Sequence, residues 1–253
     1  MKNLDKKFEI KAYEDFNWRW LTAFEQIVNN GIATYYLIDY GAQRVVIFNQ
    51  YWIYQNYKKL PKEKSGVIKY IGGYFYLSSD DYFYKTNHNF DLIGNPYKSN
   101  STADYRQFDY DSNKAKFYVA AYQLKEIHVF NESCSFLYSI RLKKDVRPCG
   151  LAIYNGHIYI GLQNAPKFII LKEETEMETI DVTECTEAIV SISFDSFGYM
   201  ILSCYDNKLI LVYDSEGKYV NANISTNNNP FLTSIDSRGR FIVITQSSLN
   251  IYY

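Results

Sequence analysis

The sequence has few of the side chains on which most metalloproteins and many enzymes depend. Three histidines in 253 residues limit metal binding and general acid–base chemistry by that side chain. Four cysteines, Cys134, Cys149, Cys185 and Cys204, lie far apart without a CxxC pair, so neither a zinc ribbon nor a disulfide framework is indicated. We expect reduced thiols, no metal site and no cofactor. GxSxG, HExxH and glycine-rich phosphate motifs are also missing.

Long apolar runs and net charge are missing as well. No stretch approaches 18 consecutive apolar residues, and the N-terminal MKNLDKKFEI lacks the apolar region of a signal peptide. These absences predict a cytoplasmic protein that does not contact membranes. Sequons at Asn100, Asn131 and Asn223 leave secretion as the alternative. A net charge of −1 disfavours a molecule-wide attraction to nucleic acids but says nothing about local patches.

The sequence is rich in aromatic residues and contains an internal repeat. Its 26 tyrosines and 16 phenylalanines favour β-strands, on whose pleated surface flat rings pack well. A Gly or Asn precedes an alternating apolar run six times, at intervals of 40 to 43 residues. A second apolar run, such as RVVIFN or KFIILK, follows each first run after a short polar break. The six turn residues are Gly31, Gly73, Asn113, Gly156, Gly198 and Gly239.

Each repeat has room for four strands, and the apolar residues alternate with period two, which disfavours a helical solenoid. Four-stranded units that cover one another's apolar faces predict an all-β, six-bladed β-propeller. The sixth unit ends after its third strand, so we expect the strand around residues 7–15 to complete it and close the ring. The predicted single domain, 1–253, has its blades at approximately 16–60, 61–98, 99–142, 143–183, 184–225, and 226–253 plus 7–15.

The fourth repeat, RPCGLAIYNGHIYIG from Arg147 to Gly161, resembles the NHL-repeat signature, and weaker forms follow in repeats five and six. Repeats one to three lack its Pro-x-Gly. The aspartates before two of the turns, Asp195 and Asp236, are interpreted as structural, with a calcium site as the alternative. The resemblance implies the propeller fold. It also brings in two activities found on such propellers, RNA binding and metal-dependent lyase or lactonase chemistry.

The loops that join one blade to the next are expected on one face, where propellers commonly bind partners. Three of them are basic, whereas the loop at residues 181–187 carries only acids. Hairpin tips on the same face add tyrosines that suit protein contacts. The candidate binding residues are Lys62, Lys64, Lys98, Tyr105 (for stacking), Arg106, Lys143, Lys144 and Arg147 in the loops, and Tyr40, Tyr122 and Tyr205 at the tips.

Together these features predict a non-catalytic binding or scaffold module whose partner is another protein. The first alternative is binding of RNA or another polyanion by the basic loops. The second is a metal-dependent lyase or lactonase. The three histidines fall in different layers of the predicted blades, which favours a structural or surface role for each of them.

Overall fold

The computed structural model describes residues 6–11, 20–142, 146–214, 218–245 and 248–252, without the side chains of 6–11, 176–177 and 221–223. These segments form 24 β-strands and one 3₁₀ turn, Tyr40–Ala42. The strands make six antiparallel sheets of four, and each innermost strand contacts the innermost strands of both neighbouring sheets. The predicted all-β, six-bladed propeller is confirmed. No helix in the described part of the chain is long and apolar enough to cross a membrane.

The strands follow one another from the centre of each blade to its edge, after an opening strand β1 (Lys6–Lys11). Blades 1 to 3 contain β2 (Leu21–Asn29), β3 (Ile32–Asp39), β4 (Arg44–Asn49) and β5 (Tyr54–Lys59); β6 (Ser65–Ile71), β7 (Tyr74–Ser79), β8 (Tyr82–Thr86) and β9 (Leu92–Lys98); β10 (Tyr105–Asp111), β11 (Lys116–Ala121), β12 (Glu126–Asn131) and β13 (Phe136–Arg141). Blades 4 to 6 contain β14 (Pro148–Tyr154), β15 (His157–Leu162), β16 (Lys167–Lys172) and β17 (Thr175–Asp181); β18 (Ile189–Phe194), β19 (Met200–Cys204), β20 (Leu209–Tyr213) and β21 (Tyr219–Ser225); β22 (Pro230–Ile235), β23 (Phe241–Thr245) and β24 (Ser248–Tyr252).

The turns between the first and second strands explain the spacing of the glycines. Gly31 and Gly156 have φ values of 77° and 75°, a region that glycine enters without steric cost. Blade 3 departs from the prediction at Asn113. Its turn is longer, and the residue with positive φ is Ala115, at 51°, because Asp111 Oδ1 accepts hydrogen bonds from the backbone of Asn113 and Lys114.

The aspartates near two of these turns are structural, as predicted. Asp195 Oδ1 accepts hydrogen bonds from the backbone N–H groups of Phe197 and Tyr199, at 2.9 and 2.8 Å. Asp236 Oδ1 makes the equivalent pair, two and four residues further on, while its Oδ2 accepts from the Arg240 guanidinium. Asp and Asn are favoured at such positions because their side chains reach backbone donors locally.

The hydrophobic core lies between blades. Six buried clusters each join the facing sides of two neighbouring blades, one cluster for every contact around the ring. In the cluster between blades 1 and 6, Tyr35 and Trp52 stack with ring centroids 4.0 Å apart and pack with Leu249 and Ile251. Each sheet therefore depends on its neighbour to bury its apolar faces.

Strand β1 closes the ring. It pairs antiparallel with β24, with Phe8 opposite Ile251 and Ile10 opposite Leu249, and so becomes the outer strand of blade 6. The last blade therefore combines three strands from the end of the chain with one from its beginning, as the repeat count predicts.

Two of the four cysteines form a disulfide, which the sequence analysis did not predict. Cys185, in the loop between blades 4 and 5, is bonded to Cys204 at the end of β19, with Cα atoms 5.5 Å apart. The expectation of four reduced thiols is wrong for this pair, because the fold brings together two residues whose sequence spacing carries no signal. Cys134 and Cys149 are free and buried, as expected.

Candidate functional site

The blade-to-blade loops and the hairpins between second and third strands meet on one face, around the mouth of the central channel. In four blades the residue after the second strand donates a backbone hydrogen bond to the carbonyl of the residue just before that blade's first strand. This bond, repeated at equivalent positions, holds the hairpin tips at the rim. The four pairs are Tyr40 to Trp20, Tyr122 to Asp104, Gln163 to Arg147 and Tyr205 to Ala188.

The mouth is a cavity of about 470 Å³ that residues from all six blades line. It brings together six of the residues predicted from the sequence: Tyr40, Lys64, Tyr105, Arg106, Tyr122 and Tyr205. Arg147 lies beside it, with Nη1 donating to the Tyr122 hydroxyl at 3.2 Å. Lys62 and Lys98 lie apart from these residues, with their ammonium groups 4.7 and 5.6 Å from the ring centre of Tyr82. Lys143 and Lys144 fall outside the described residues.

One side of the mouth, formed by blades 5, 6 and 1, is aromatic. Four rings contact one another in sequence along this aromatic arc, which we define as Tyr205, Phe231, Trp20 and Tyr40. Phe231 lies between Tyr205 and Trp20, with centroid distances of 5.1 and 5.9 Å, and Trp20 contacts Tyr40 edge-on at 5.5 Å. Sequence reasoning missed Trp20 and Phe231. Their signal was a bulky ring at the start of an inner strand, beside the channel.

The other side, formed by blades 2 to 4, is charged. Asp80 accepts hydrogen bonds from Lys64 Nζ at 2.9 Å and from the Tyr40 hydroxyl at 3.2 Å. The hydrogen bond to Asp80 raises the pKa of Lys64 above its ordinary value. Asp104 accepts one from Arg106 Nη2 at 2.7 Å. The basic side chains of the mouth therefore lie among carboxylates, and the local excess of positive charge is smaller than the loop sequences suggest.

Two guanidinium groups flank one tyrosine on the charged side. The Cζ atoms of Arg106 and Arg147 lie 4.8 and 5.2 Å from the centre of the Tyr122 ring. We call Arg106, Tyr122 and Arg147 the arginine stack. Guanidinium groups pack on aromatic faces through cation–π attraction, which orients them while their N–H groups stay available.

Tyr105 does not have the role predicted for it. Its side chain is 4% exposed, and its hydroxyl is hydrogen-bonded to Nδ1 of the buried His128 at 2.8 Å. The prediction that this ring is available for stacking is wrong, because the first strand of blade 3 turns it between sheets rather than toward the loops. Burial raises the pKa of Tyr105 well above its ordinary value.

The histidines lie apart from one another, in structural or surface positions, as the sequence predicted. His128 is buried in β12 beside Tyr105, His88 contacts the Tyr70 hydroxyl through Nε2, and His157 contacts the Asn155 carbonyl. Burial lowers the pKa of His128. Within the described part of the chain, no three His, Cys, Asp or Glu side chains are grouped as a metal site requires.

Below the mouth, the side chain of Gln107 crosses the channel. Its Oε1 accepts hydrogen bonds from the backbone of Leu151 and Ile192 at 2.9 and 3.1 Å, and its Nε2 donates to the Ile192 carbonyl at 3.0 Å. Gln107 thereby ties blade 3 to blades 4 and 5, and it also lines a second cavity of about 310 Å³ further down the channel.

Three charged side chains from successive inner strands meet in this second cavity. Lys69 Nζ is ion-paired with Asp109 Oδ1, and Asp109 Oδ2 accepts a hydrogen bond from the Ile153 backbone. Glu25 shares the cavity with them. Burial raises the pKa of Glu25 from its ordinary 4.5 to about 7, although the nearby Lys69 ammonium acts in the opposite direction.

The raised pKa makes the protein less stable as the pH increases. Between pH 4.5 and 7 the folded state keeps a proton on Glu25 that the unfolded state has lost, so the free energy of unfolding falls through this range and then levels off. We expect Glu25→Gln to stabilise the protein at pH 8 by about 2 kcal/mol, less than the full shift would give because channel solvent screens the charge. At pH 4.5 the gain should nearly disappear.

Urea unfolding of both proteins at pH 4.5, 6 and 8 measures this difference. The exposed Glu63, changed to Gln, is the matched control and should show no such trend. A constant difference between wild type and Glu25→Gln at all three pH values would contradict the prediction.

Comparison with known proteins identifies the fold of this chain but does not assign it to a family. No protein-family model matches the chain, and no curated protein matches it. Among solved structures, a streptogramin B lyase is similar with a TM-score of 0.74 and 7% identity, covering 100% of this chain and 99% of that one. Virginiamycin B lyase from Staphylococcus aureus gives 0.72 and 10%, covering 96% and 82%, and the WD40 propeller domain of Doa1 gives 0.71 and 11%, covering 92% and 78%. These identities show a shared propeller fold alone.

Proposed function

We propose that this propeller is a non-catalytic binding module for another protein, and that the partner enters the mouth of the channel. The observation that carries the proposal is the cavity of about 470 Å³, which all six blades line with aromatic rings on one side and charged side chains on the other. Concave sites of this size with a few fixed polar groups are typical binding sites. Propellers of known structure with the same fold include a WD40 domain and a chain of the mitotic checkpoint complex, which supports protein partners in general.

Binding of RNA or another polyanion is the second candidate. It is favoured by the lysines beside Tyr82 and by the arginine stack, since cations next to rings suit phosphates and bases. It is disfavoured by Asp80 and Asp104, which hold Lys64 and Arg106 in ion pairs at the mouth and repel a chain of phosphates.

Lyase chemistry is the third candidate, and its support is the fold of the two lyases alone. We also propose that the repeats are of the NHL type, on the basis of the Pro-x-Gly and glycine turn of the fourth repeat, Arg147 to Gly161. The Cys185–Cys204 disulfide favours the secreted alternative over the predicted cytoplasmic location, because disulfides persist mainly in oxidising compartments.

Affinity capture from native lysate tests the function. Wild type, Trp20→Ala and Arg147→Glu are used as baits, each with and without RNase, and bound proteins and RNA are identified. We expect defined proteins that survive RNase and are lost with both mouth variants. Arg141→Glu is the control, since this arginine lies at the outer edge of blade 3 with a side chain 88% exposed.

Capture of RNA that falls steeply as salt increases would replace the proposal with polyanion binding, because phosphate contacts release counterions. Proteins that bind equally to wild type and to both mouth variants would show that the partner uses another surface.

A further inference from the structure

The mouth is divided between two chemistries, and this division indicates the kind of segment that fits it. The aromatic arc belongs to blades 5, 6 and 1, whereas the Lys64–Asp80 pair and the arginine stack belong to blades 2 to 4. Trp20 is held in place because its backbone N–H donates to Asp39 Oδ1 at 3.1 Å. A ligand that fills the cavity must therefore present an apolar group on one side and a polar or charged group on the other.

The arginine stack is the part of the charged side best able to bind a carboxylate. Arg147 is exposed, and among the described residues no carboxylate lies within ion-pair distance of it. Arg106 donates to Asp104 through Nη2 and has a side chain 45% exposed. Two like charges face one ring, so an incoming anion relieves their repulsion while gaining charge-assisted hydrogen bonds.

A single carboxylate fits this site better than a phosphate chain does. Each guanidinium offers a planar pair of N–H donors that matches the two oxygens of a carboxylate. Asp80 and Asp104 lie at the same mouth, so further negative charge beyond the arginine stack would be repelled. One acidic side chain supplies a carboxylate for the guanidinium donors and brings no further negative charge near Asp80 and Asp104.

We propose that the mouth recognises a peptide segment in which an acidic side chain binds the arginine stack and an aromatic or large aliphatic side chain packs on the aromatic arc. This inference rests on the proposed function, which supplies a protein partner, and adds the chemistry of the segment. Arg147 is the anchor for the carboxylate. Trp20 and Phe231 form the apolar pocket, because their rings are in contact at the centre of the arc.

The test is selection of a phage-displayed random heptapeptide library on the wild-type protein, followed by affinity measurements on synthetic copies of the enriched peptides. We expect these peptides to combine Asp or Glu with an aromatic or large aliphatic residue. Changing the acidic residue of an enriched peptide to its amide should weaken binding about tenfold, the loss expected when one charge-assisted contact is removed.

Three variants of the protein test which residues make the acidic and the apolar contact with the peptide. Arg147→Gln should abolish the preference for the acid over the amide, whereas Phe231→Ala should weaken both peptides equally and leave the preference unchanged. Arg141→Gln, which removes an exposed guanidinium away from the cavity, should change neither. Thermal unfolding of each variant shows whether it is folded, and Tyr205→Ala replaces Phe231→Ala if the latter is not.

The outcomes separate this inference from the proposed function. Peptides that depend on Phe231 but show no preference for an acid would overturn the acidic chemistry while leaving protein binding in place. An enriched set that is indifferent to all mouth variants would overturn the inference, even if captured proteins still require Trp20 and Arg147. If the proteins captured from lysate also bind without Trp20 and Arg147, the proposed function is overturned as well.

Discussion

Replacing Gly161 by alanine is expected to destabilise the protein by about 3 kcal/mol, the upper part of the range for overpacking a core. Gly161 lies in β15, where the inner strand of blade 5 crosses close to it. A Cβ at this position would overlap the carbonyl oxygen of Ile189 and lie 2.8 Å from its Cγ2 atom. The carbonyl is backbone in a strand, so relief requires blades 4 and 5 to move apart. Urea unfolding of the variant measures the loss.

Two other glycines make this a graded test. At Gly150 an added Cβ would lie 3.1 Å from the Ser191 Cα atom, so Gly150→Ala should cost less than Gly161→Ala. At Gly66 the nearest atom is Tyr40 Cδ2 at 3.8 Å, an ordinary contact, so Gly66→Ala should be close to neutral. A ranking that does not follow these separations would mean that the blade interface is looser than the structure shows.

The fold could be predicted because its signals are local and repeated. Positive φ at Gly31 and Gly156 follows from the two-residue turn that each one ends, and a turn that contains a residue of positive φ joins the first two strands of every blade. The missing outer strand of the last blade pointed to the N-terminal segment for the same reason. Asn113 was misassigned because Asp111 organises a longer turn there, in which Ala115 has the positive φ, and a Gly or Asn before an apolar run does not show how long the turn is.

The candidate site was predicted less completely, because its interactions join different blades. The repeat phase placed Tyr40, Tyr122 and Tyr205 on one rim, and the structure agrees. The hydrogen bond from the Lys64 ammonium to Asp80 depends on the angle between a hairpin and a loop, and no sequence pattern encodes that angle. Glu25, Lys69 and Asp109 could have been found by aligning the inner strands, because they occupy equivalent positions opposite Tyr36, Tyr76 and Tyr118 of the second strands.

Truncation of β1 is the second change that we expect to lower the stability of the protein strongly. Removing residues 1–11 leaves β24 as an exposed edge, and its Leu249 and Ile251 belong to the core between blades 1 and 6. Loss of one strand ladder should cost about 4 kcal/mol, at roughly 1 kcal/mol for each hydrogen bond. For a chain of this size that corresponds to a fall in Tm of roughly 8 to 16 °C. The free edge should also promote aggregation at higher concentration.

Two controls, a shorter truncation and an added peptide, distinguish the loss of ring closure by β1 from a general effect of shortening the chain. Removing residues 1–4 leaves β1 intact, so this variant should melt close to wild type. Adding a synthetic peptide of residues 1–15 to the longer truncation should restore Tm and suppress aggregation in a concentration-dependent way, since a strand that binds the folded state stabilises it by mass action. Rescue requires the sequence that pairs Phe8 with Ile251, so a scrambled peptide should fail. If both truncations melt together, β1 does not close the ring, and the stability of the last blade must come from β22 to β24 alone.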